Sequence, residues 1–185
     1  MPVSHGPLNL DKMLASGAVS LKMNVALSSV VLREIVRACP DLGIRWLTVY
    51  AFSTENWRRP IEEVVGLTRI FSIYIRAEAQ RLLDEGVKLR FIGDRTPLDR
   101  RLRRLMDWSE ALTQHNTRLV LTVAINYGGR AELIRAAQKL VDGARNGLIL
   151  PEDVNEDAVT NLLTTAGLPD PDLIIRTSGE TRISN

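Results

Sequence analysis

The stretch Trp46-Leu47-Thr48-Val49-Tyr50-Ala51-Phe52 is a nearly continuous apolar run, rich in aromatic and aliphatic residues. Its length and composition predict a buried β-strand. A long helical pattern follows it, beginning at Pro60, continuing to about Glu85 and ending at Gly86. A buried strand that leads directly into a long helix is typical of α/β folds.

The same alternation continues on both sides of this unit. The patterns predict further strands at residues 87–92, 119–125 and 172–175, and further helices at residues 30–39 (ending before Pro40), 98–112, 130–142 and 155–165. Residues 1–28 show no sustained period. The sequence therefore predicts an α/β fold, a single domain with a mostly parallel central sheet flanked by helices. We place this domain at residues 29–185, after an atypical N-terminal segment at 1–28.

The helix predicted at residues 60–85 carries apolar residues on more than one side. A helix that packs only against a sheet needs one apolar stripe. A second surface must therefore cover the other side, and the pattern leaves three alternatives: a partner subunit, another helix or an apolar ligand.

Composition excludes several classes of protein. The chain has 185 residues, of which 45% are hydrophobic and 25% charged, so it is typical of a globular domain and not of a disordered or fibrous protein. No stretch reaches the roughly 18 apolar residues of a membrane span, and the first residues do not resemble a signal peptide. A single cysteine, Cys39, excludes an intramolecular disulfide and indicates a reducing cytoplasm. We interpret Cys39 as a buried core residue.

The basic residues are nearly all arginine, although the net charge is only +2. Arginine suits bidentate contacts with phosphate oxygens, which favours phosphorylated partners. The cluster at residues 100–104 contains four arginines, which we interpret as a solvated helix face. The sequence does not indicate a nucleic-acid partner, because aromatic residues are few and no known binding module occurs.

Three of the predicted strands end in polar segments. These segments are residues 53–59 (Ser-Thr-Glu-Asn-Trp-Arg-Arg), 126–130 (Asn-Tyr-Gly-Gly-Arg) and 176–185 (Arg-Thr-Ser-Gly-Glu-Thr-Arg-Ile-Ser-Asn). Ligands collect at the carboxyl ends of strands in open parallel sheets. In the third segment, Arg176 and Arg182 flank hydroxyl residues and a glycine, a pattern suited to a phosphate group. Ordinary turns remain the alternative for each segment, and 126–130 is then a tight turn that needs glycine for its backbone geometry.

Together, these three motifs closely resemble the signatures of the cis-prenyltransferases, and of their bacterial members most of all. The resemblance runs from about Leu32 to Asn185 in the family's order and spacing. It implies a mostly parallel sheet beside an apolar tunnel, and a homodimer. It also implies a cytoplasmic protein with peripheral membrane contact through its lipid product.

The resemblance implies cis-prenyl chain elongation by a prenyl transferase. Isopentenyl diphosphate condenses with an allylic diphosphate of the farnesyl diphosphate type, and Mg²⁺ assists the loss of pyrophosphate. The product is a polyprenyl diphosphate such as undecaprenyl diphosphate, a lipid carrier in cell-wall synthesis. By resemblance, Asn56 is the catalytic residue, which we interpret as a positioning group or relay because an amide is a poor base. The substrate-binding residues are Ser53, Thr54, Glu55, Trp57, Arg59, Arg176, Arg182, Ile183 and Ser184.

Two elements of the family pattern do not occur in this sequence. One is the Asp-Gly-Asn-Gly-Arg-Trp motif, whose aspartate binds Mg²⁺; the other is the segment with a second metal-binding glutamate that follows the third motif. No residue of this chain is therefore assigned as a metal ligand. Because the metal neutralises the leaving group, we expect the chain as written to be inactive or nearly so. The alternative role is a non-catalytic accessory or prenyl-diphosphate-binding subunit of a cis-prenyltransferase complex.

Overall fold

The computed structural model describes residues 17–22 and 29–176, which form alternating strands and helices. The strands are β1 (Ala18–Lys22), β2 (Trp46–Ser53), β3 (Val87–Ile92), β4 (Leu119–Tyr127) and β5 (Leu173–Arg176). The helices are α1 (Ser29–Asp41), α2 (Ile61–Asp84), α3 (Arg100–Thr113), α4 (Gly129–Arg145) and α5 (Glu156–Leu162). Short 3₁₀ helices occupy Thr54–Arg58 and Pro151–Asp153. The predicted α/β alternation is confirmed.

The strands form one sheet in the order β3-β4-β2-β1-β5, and every pair is parallel. The sheet is therefore entirely parallel within the described residues, where the sequence predicted a mostly parallel one. The absence of a pattern in residues 1–28 was misleading, because β1 lies there and pairs with both β2 and β5. Its five residues are too few to show a period, and pairing on both sides decides its conformation.

Helix α1 does not stop before Pro40, as the sequence predicted, but continues to Asp41. Proline lacks a backbone N–H and disfavours a helical residue before it, yet one lost hydrogen bond is tolerable in a last turn. The backbone N–H of Leu42 donates to the carbonyl of Ala38 at 3.2 Å, which preserves the turn around the proline. The long helix α2 begins at Ile61, and Pro60 is its N-cap rather than its first helical residue.

The two apolar sides of α2 have different surroundings. Val64, Phe71 and Leu82 are buried in the core cluster, and α3 packs alongside α2. Another helix therefore covers part of the second side, which was one of the three alternatives. Ile61 and Val65 remain exposed near the start of the helix.

Helix α3 also covers the edge of the sheet at β3. The hydroxyl of Thr113 accepts a hydrogen bond from the backbone N–H of Leu89 at 3.0 Å, and the carboxylate of Glu110 accepts one from that of Phe91 at 2.7 Å. An edge strand otherwise presents unpaired N–H groups to other chains. These side chains satisfy two of them.

Cys39 is 2% exposed, as predicted for a core cysteine, and burial raises the pKa of its thiol to about 11. Among the described residues, no helix combines the length and the apolar character needed to cross a membrane.

Candidate active site at the carboxyl edge of the sheet

The three polar segments begin at the same edge of the sheet, because all its strands are parallel. Ser53 at the end of β2 is in register with Tyr127 at the end of β4. Arg176 at the end of β5 is in register with Lys22 of β1, which is in register with Tyr50 of β2. Arg176 and Tyr50 are thus two strand spacings apart, roughly 10 Å.

The segment after β2 turns into a 3₁₀ helix that is fixed by Asn56. The side-chain Oδ1 of Asn56 accepts hydrogen bonds from the backbone N–H of Ser53 at 2.7 Å and from the Ser53 hydroxyl at 3.0 Å. The Asn56 Nδ2 group makes no hydrogen bond with any residue of 17–22 or 29–176. Asn56 therefore orients the Ser53 hydroxyl while its amide N–H₂ can donate to a ligand.

Asn126 connects this 3₁₀ helix to two neighbouring segments. Its Oδ1 accepts from the indole Nε1 of Trp57 at 2.6 Å, and its Nδ2 donates to the carbonyl of Asp94 at 2.8 Å. Asn126 is 4% exposed and has a φ of 51°, in the left-handed region that asparagine tolerates better than most residues. Both polar groups of the buried side chain are satisfied, so the geometry is well defined.

Gly128 has a role that differs from the predicted one. Its φ of −157° is extended backbone that any residue can adopt, so the expectation that glycine supplies the turn geometry is wrong for this position. A Cβ at Gly128 would lie 2.6 Å from the hydroxyl oxygen of Thr54. Glycine is needed because the turn after β4 approaches the turn after β2 closely. The sequence of either turn alone cannot indicate such a contact.

The remaining predicted site residues divide into two groups. Thr54, Glu55 and Arg59 lie on or beside the 3₁₀ helix, where Thr54 is half-buried and the other two are exposed. Arg59 also forms an exposed ion pair with Glu63 at 3.5 Å. Arg182, Ile183 and Ser184 lie outside the described residues, so their roles remain predictions.

An apolar cavity of about 150 Å³ lies between α1, α2 and one face of the sheet. Its walls include Phe71 and Ile75 of α2 and Val123 of β4. Ala51 and Ile125 also line it, two residues before Ser53 and one before Asn126 respectively. The two polar turns therefore stand at one end of this apolar cavity. The longer tunnel that the resemblance implies remains a prediction.

Three charged side chains from α1 and α2 line the same cavity: Arg33, Glu78 and Arg81. Glu78 accepts hydrogen bonds from Arg33 and from Arg81, the latter at 2.8 Å. Burial acts to raise the pKa of Glu78, but hydrogen bonds from Arg33 and Arg81 outweigh it, so the net pKa is lowered. This network joins the two helices beside the apolar wall.

A second polar network, which no local sequence pattern indicates, involves Tyr127 at the end of β4 and Glu132 of α4. Buried Glu132 accepts from the backbone N–H of Thr164 at 2.6 Å and from its hydroxyl. Burial raises the pKa of the Tyr127 phenol, and its hydrogen bond with Glu132 raises it further. The position of Glu132 in the helical pattern of α4 does not indicate that it is buried, because the residue that contacts it, Thr164, follows α5 in the chain.

The described residues supply no preformed cluster of metal ligands. Within residues 17–22 and 29–176, no group of three or more histidine, cysteine, aspartate or glutamate side chains could hold a metal ion. Mg²⁺ therefore stays an implication of the resemblance.

The family model described as putative undecaprenyl diphosphate synthase matches residues 24–185. The chain belongs to this family of prenyl transferases. The match includes the turn after β2, the turn after β4 and the segment that begins at Arg176.

Several curated relatives support the same membership. The chain is 44% identical over 155 residues to an isoprenyl transferase of Prochlorococcus marinus subsp. pastoris, covering 84% of this chain and 57% of the relative. It is 46% identical over 154 residues to one of Brucella abortus, covering 83% and 61%. The ditrans,polycis-undecaprenyl-diphosphate synthase ((2E,6E)-farnesyl-diphosphate specific) of Legionella pneumophila strain Paris is 42% identical over 153 residues, covering 83% and 64%. The chain thus spans less than two thirds of the length of these relatives.

Two solved structures share the fold of this member of the undecaprenyl diphosphate synthase family. Lavandulyl diphosphate synthase from Lavandula x intermedia, in complex with dimethylallyl diphosphate, has a TM-score of 0.80 and 28% identity, covering 91% of this chain and 80% of that one. A probable undecaprenyl diphosphate synthase from Campylobacter jejuni has a TM-score of 0.78 and 29% identity, covering 91% and 78%.

Proposed function

We propose that the reaction of this site is cis-prenyl chain elongation, in which isopentenyl diphosphate condenses with an allylic diphosphate to give a polyprenyl diphosphate, and that the 185 residues alone carry it out weakly or not at all. One observation carries the proposal: the turn with Asn56 and the turn with Asn126 stand together at the end of an apolar cavity. A prenyl diphosphate has a polar head and a hydrocarbon tail, and this arrangement offers a polar edge and an apolar wall to match them.

At the polar edge, arginines would hold the diphosphate of isopentenyl diphosphate. Arg176 ends β5 at this edge, and family resemblance adds Arg182 and Ser184. Guanidinium groups bind phosphate oxygens in bidentate fashion. Ser53, Thr54, Glu55, Trp57 and Arg59 would border the allylic substrate.

Asn56 would position the condensing unit and take part in moving its proton. Its Oδ1 is occupied by Ser53, so the amide acts as a donor and as a support for the Ser53 hydroxyl, and not as a free base. The apolar cavity would receive the growing chain and keep water from the reacting carbons. Each CH₂-sized group buried there contributes about 0.8 kcal/mol.

We propose Mg²⁺ as the cofactor on the basis of the family alone. It would neutralise the departing diphosphate.

Calorimetric binding of isopentenyl diphosphate to the full chain tests the polar edge. Arg176→Gln should weaken binding about 30-fold, since a charge-assisted hydrogen bond contributes roughly 2 kcal/mol. Arg145→Gln, at the exposed end of α4, is the matched control and should bind like the parent. Equal binding by the parent and Arg176→Gln would contradict the proposed role of this edge.

Incorporation of radiolabelled isopentenyl diphosphate onto farnesyl diphosphate, with Mg²⁺, tests the reaction. We expect little or no elongation by the 185-residue chain, and robust elongation would contradict that expectation. If a trace of activity is measurable, Asn56→Ala should reduce it about 100-fold while isopentenyl diphosphate still binds. Trace elongation that depends on Asn56 would support the enzyme over the accessory-subunit alternative.

We also propose a homodimer. Aliphatic side chains are exposed on α4 and β5, including Leu133, Ile134 and Ile174, and β5 is an edge strand of the sheet within the described residues. Such a surface is suited to a second copy. Sedimentation velocity should show twice the monomer mass, and a monomer at all concentrations would contradict the proposal. Cytoplasmic location and membrane contact through the product remain part of the proposed function.

A further inference from the structure

A groove on the outer surface combines several arginines with a tryptophan. It lies between α2 and α3, encloses about 510 Å³ and is lined by Arg76, Arg100, Arg101, Arg104, Leu105 and Trp108. The arginines and Trp108 are exposed, and the proposed condensation uses none of these residues.

The arginines of this groove have no acidic partner in the part of the chain that the structure describes. None of Arg76, Arg100, Arg101 and Arg104 forms an ion pair with a residue in the described ranges 17–22 and 29–176. Their guanidinium groups are therefore open to an external anion.

Arg100 and Arg101 bring positive charge to the first turn of α3, and Arg104 follows in the second turn. The first turn of α3 has no acidic residue. The N-terminus of a helix carries a partial positive charge, so cations there are unfavourable. The N-cap Asp99 uses its carboxylate on the backbone N–H groups of Arg101 and Leu102. An anion outside the protein would compensate this concentration of charge.

Apolar side chains stand beside the arginines. Arg100, Arg104 and Trp108 follow one another at intervals of four residues, so they share one side of α3. Trp108 is 47% exposed, and Ile73, three residues before Arg76 on α2, is 58% exposed. A nucleic-acid surface typically interleaves several aromatic side chains with its basic residues, whereas Trp108 is the single aromatic residue that lines this groove. A membrane interface accommodates all three side-chain types.

We propose that the α2–α3 groove is a docking surface for a bilayer that contains anionic phospholipids. The arginines bind lipid phosphates, while Trp108 and Ile73 enter the interfacial layer. This inference goes beyond the proposed function, because it would hold whether or not the chain condenses prenyl units.

Co-sedimentation of the full chain with vesicles tests the charged part. We expect binding to vesicles of phosphatidylcholine and phosphatidylglycerol, weak binding to phosphatidylcholine alone, and a decrease with salt. Arg100→Gln/Arg104→Gln should reduce partitioning about 30-fold, since each basic residue near the surface contributes about a factor of five. Lys139→Gln/Arg145→Gln on α4 loses the same charge and should bind like the parent.

Thermal unfolding of the same variants separates docking from folding. Arg100→Gln/Arg104→Gln removes cations from the positive end of α3, so its melting temperature should equal or exceed that of the parent while vesicle binding falls. A variant that binds vesicles as the parent does would overturn the proposal.

Tryptophan fluorescence tests the apolar part. Brominated lipids should quench the fluorescence of the vesicle-bound parent, and Trp108→Phe should lose most of that quenching. Quenching that persists in Trp108→Phe would overturn the proposed orientation. Two competition results would overturn the choice of ligand: displacement from vesicles by millimolar inorganic phosphate, or a preference for duplex DNA that the arginine substitutions abolish.

Discussion

Asn126 holds the turn after β4 in a left-handed conformation and connects it to Trp57 and Asp94. Asn126→Ala leaves the Trp57 indole without its acceptor and places a residue with a Cβ at φ 51° without any side-chain hydrogen bond. We expect a loss of about 3 kcal/mol in the free energy of unfolding, measured by urea denaturation. Asn126→Gly removes the strain of the left-handed backbone conformation, so its loss in the free energy of unfolding should be about 1 kcal/mol smaller than that of Asn126→Ala. Equal stability of Asn126→Ala and the parent would show that these contacts are not needed.

Gly128 and Thr54 form a close contact between the two turns. Gly128→Ala should destabilise the fold by about 1–3 kcal/mol, because its Cβ would lie 2.6 Å from the Thr54 hydroxyl oxygen. Thr54→Ala removes that oxygen, so the double variant should be less destabilised than the sum of the two single variants. A double-mutant cycle measures the difference. If the changes in the free energy of unfolding of the two single variants add exactly in the double variant, the contact with Thr54 does not limit the size of the residue at position 128.

At the scale of elements, the network around Glu78 joins α1 to α2. Because the pKa of Glu78 is lowered in the folded protein, its contribution to stability is present above about pH 4.5, the ordinary value, and is lost as pH falls through the lowered pKa. Glu78→Gln should therefore be less stable than the parent at pH 7, and the two should converge in acid. Urea denaturation at several pH values measures this.

The matched control for that experiment is Glu34→Gln on α1. Glu34 lies 3.7 Å from Arg37 in an exposed pair, and such pairs contribute little. We expect Glu34→Gln to resemble the parent throughout. A constant difference between Glu78→Gln and the parent at every pH would show that the network acts through packing and not through charge.

At the scale of the whole molecule, the cavity depends on packing between both helices and the sheet. Val123→Phe fills part of it and should displace two or three CH₂-sized groups of a bound chain. Farnesyl diphosphate should then bind about 30-fold more weakly in calorimetry, because the loss of this apolar burial costs ~2 kcal/mol of binding free energy. Val120 and Val123 are three residues apart on β4, so their side chains lie on opposite faces of the sheet. Val120→Phe therefore adds the same ring away from the cavity and is the matched control. Comparable losses in both variants would mean that the cavity does not receive the chain.

The sequence predicted most elements because each shows a local pattern. The apolar run at 46–52 and the helix beginning near Ile61 can be recognised from their length and periodicity alone, without knowledge of any tertiary contact. The predictions for the end of α1 and for strand β1 were wrong because these two features depend on their surroundings and not on a local pattern. A last turn can tolerate Pro40, and a five-residue strand depends on its neighbours.

The site divides in the same way. Local sequence determined that polar segments follow the strands, and that Ser53, Asn56 and Trp57 belong to one turn, because spacing and residue type are properties of a single segment. Tertiary structure alone decided that Asn126 binds Trp57 from 69 residues away, that Gly128 must be small beside Thr54, and that Glu132 is buried by Thr164. Each of these depends on the distance between segments that are remote along the chain, and sequence spacing holds no information about that distance until the sheet brings the strands into register.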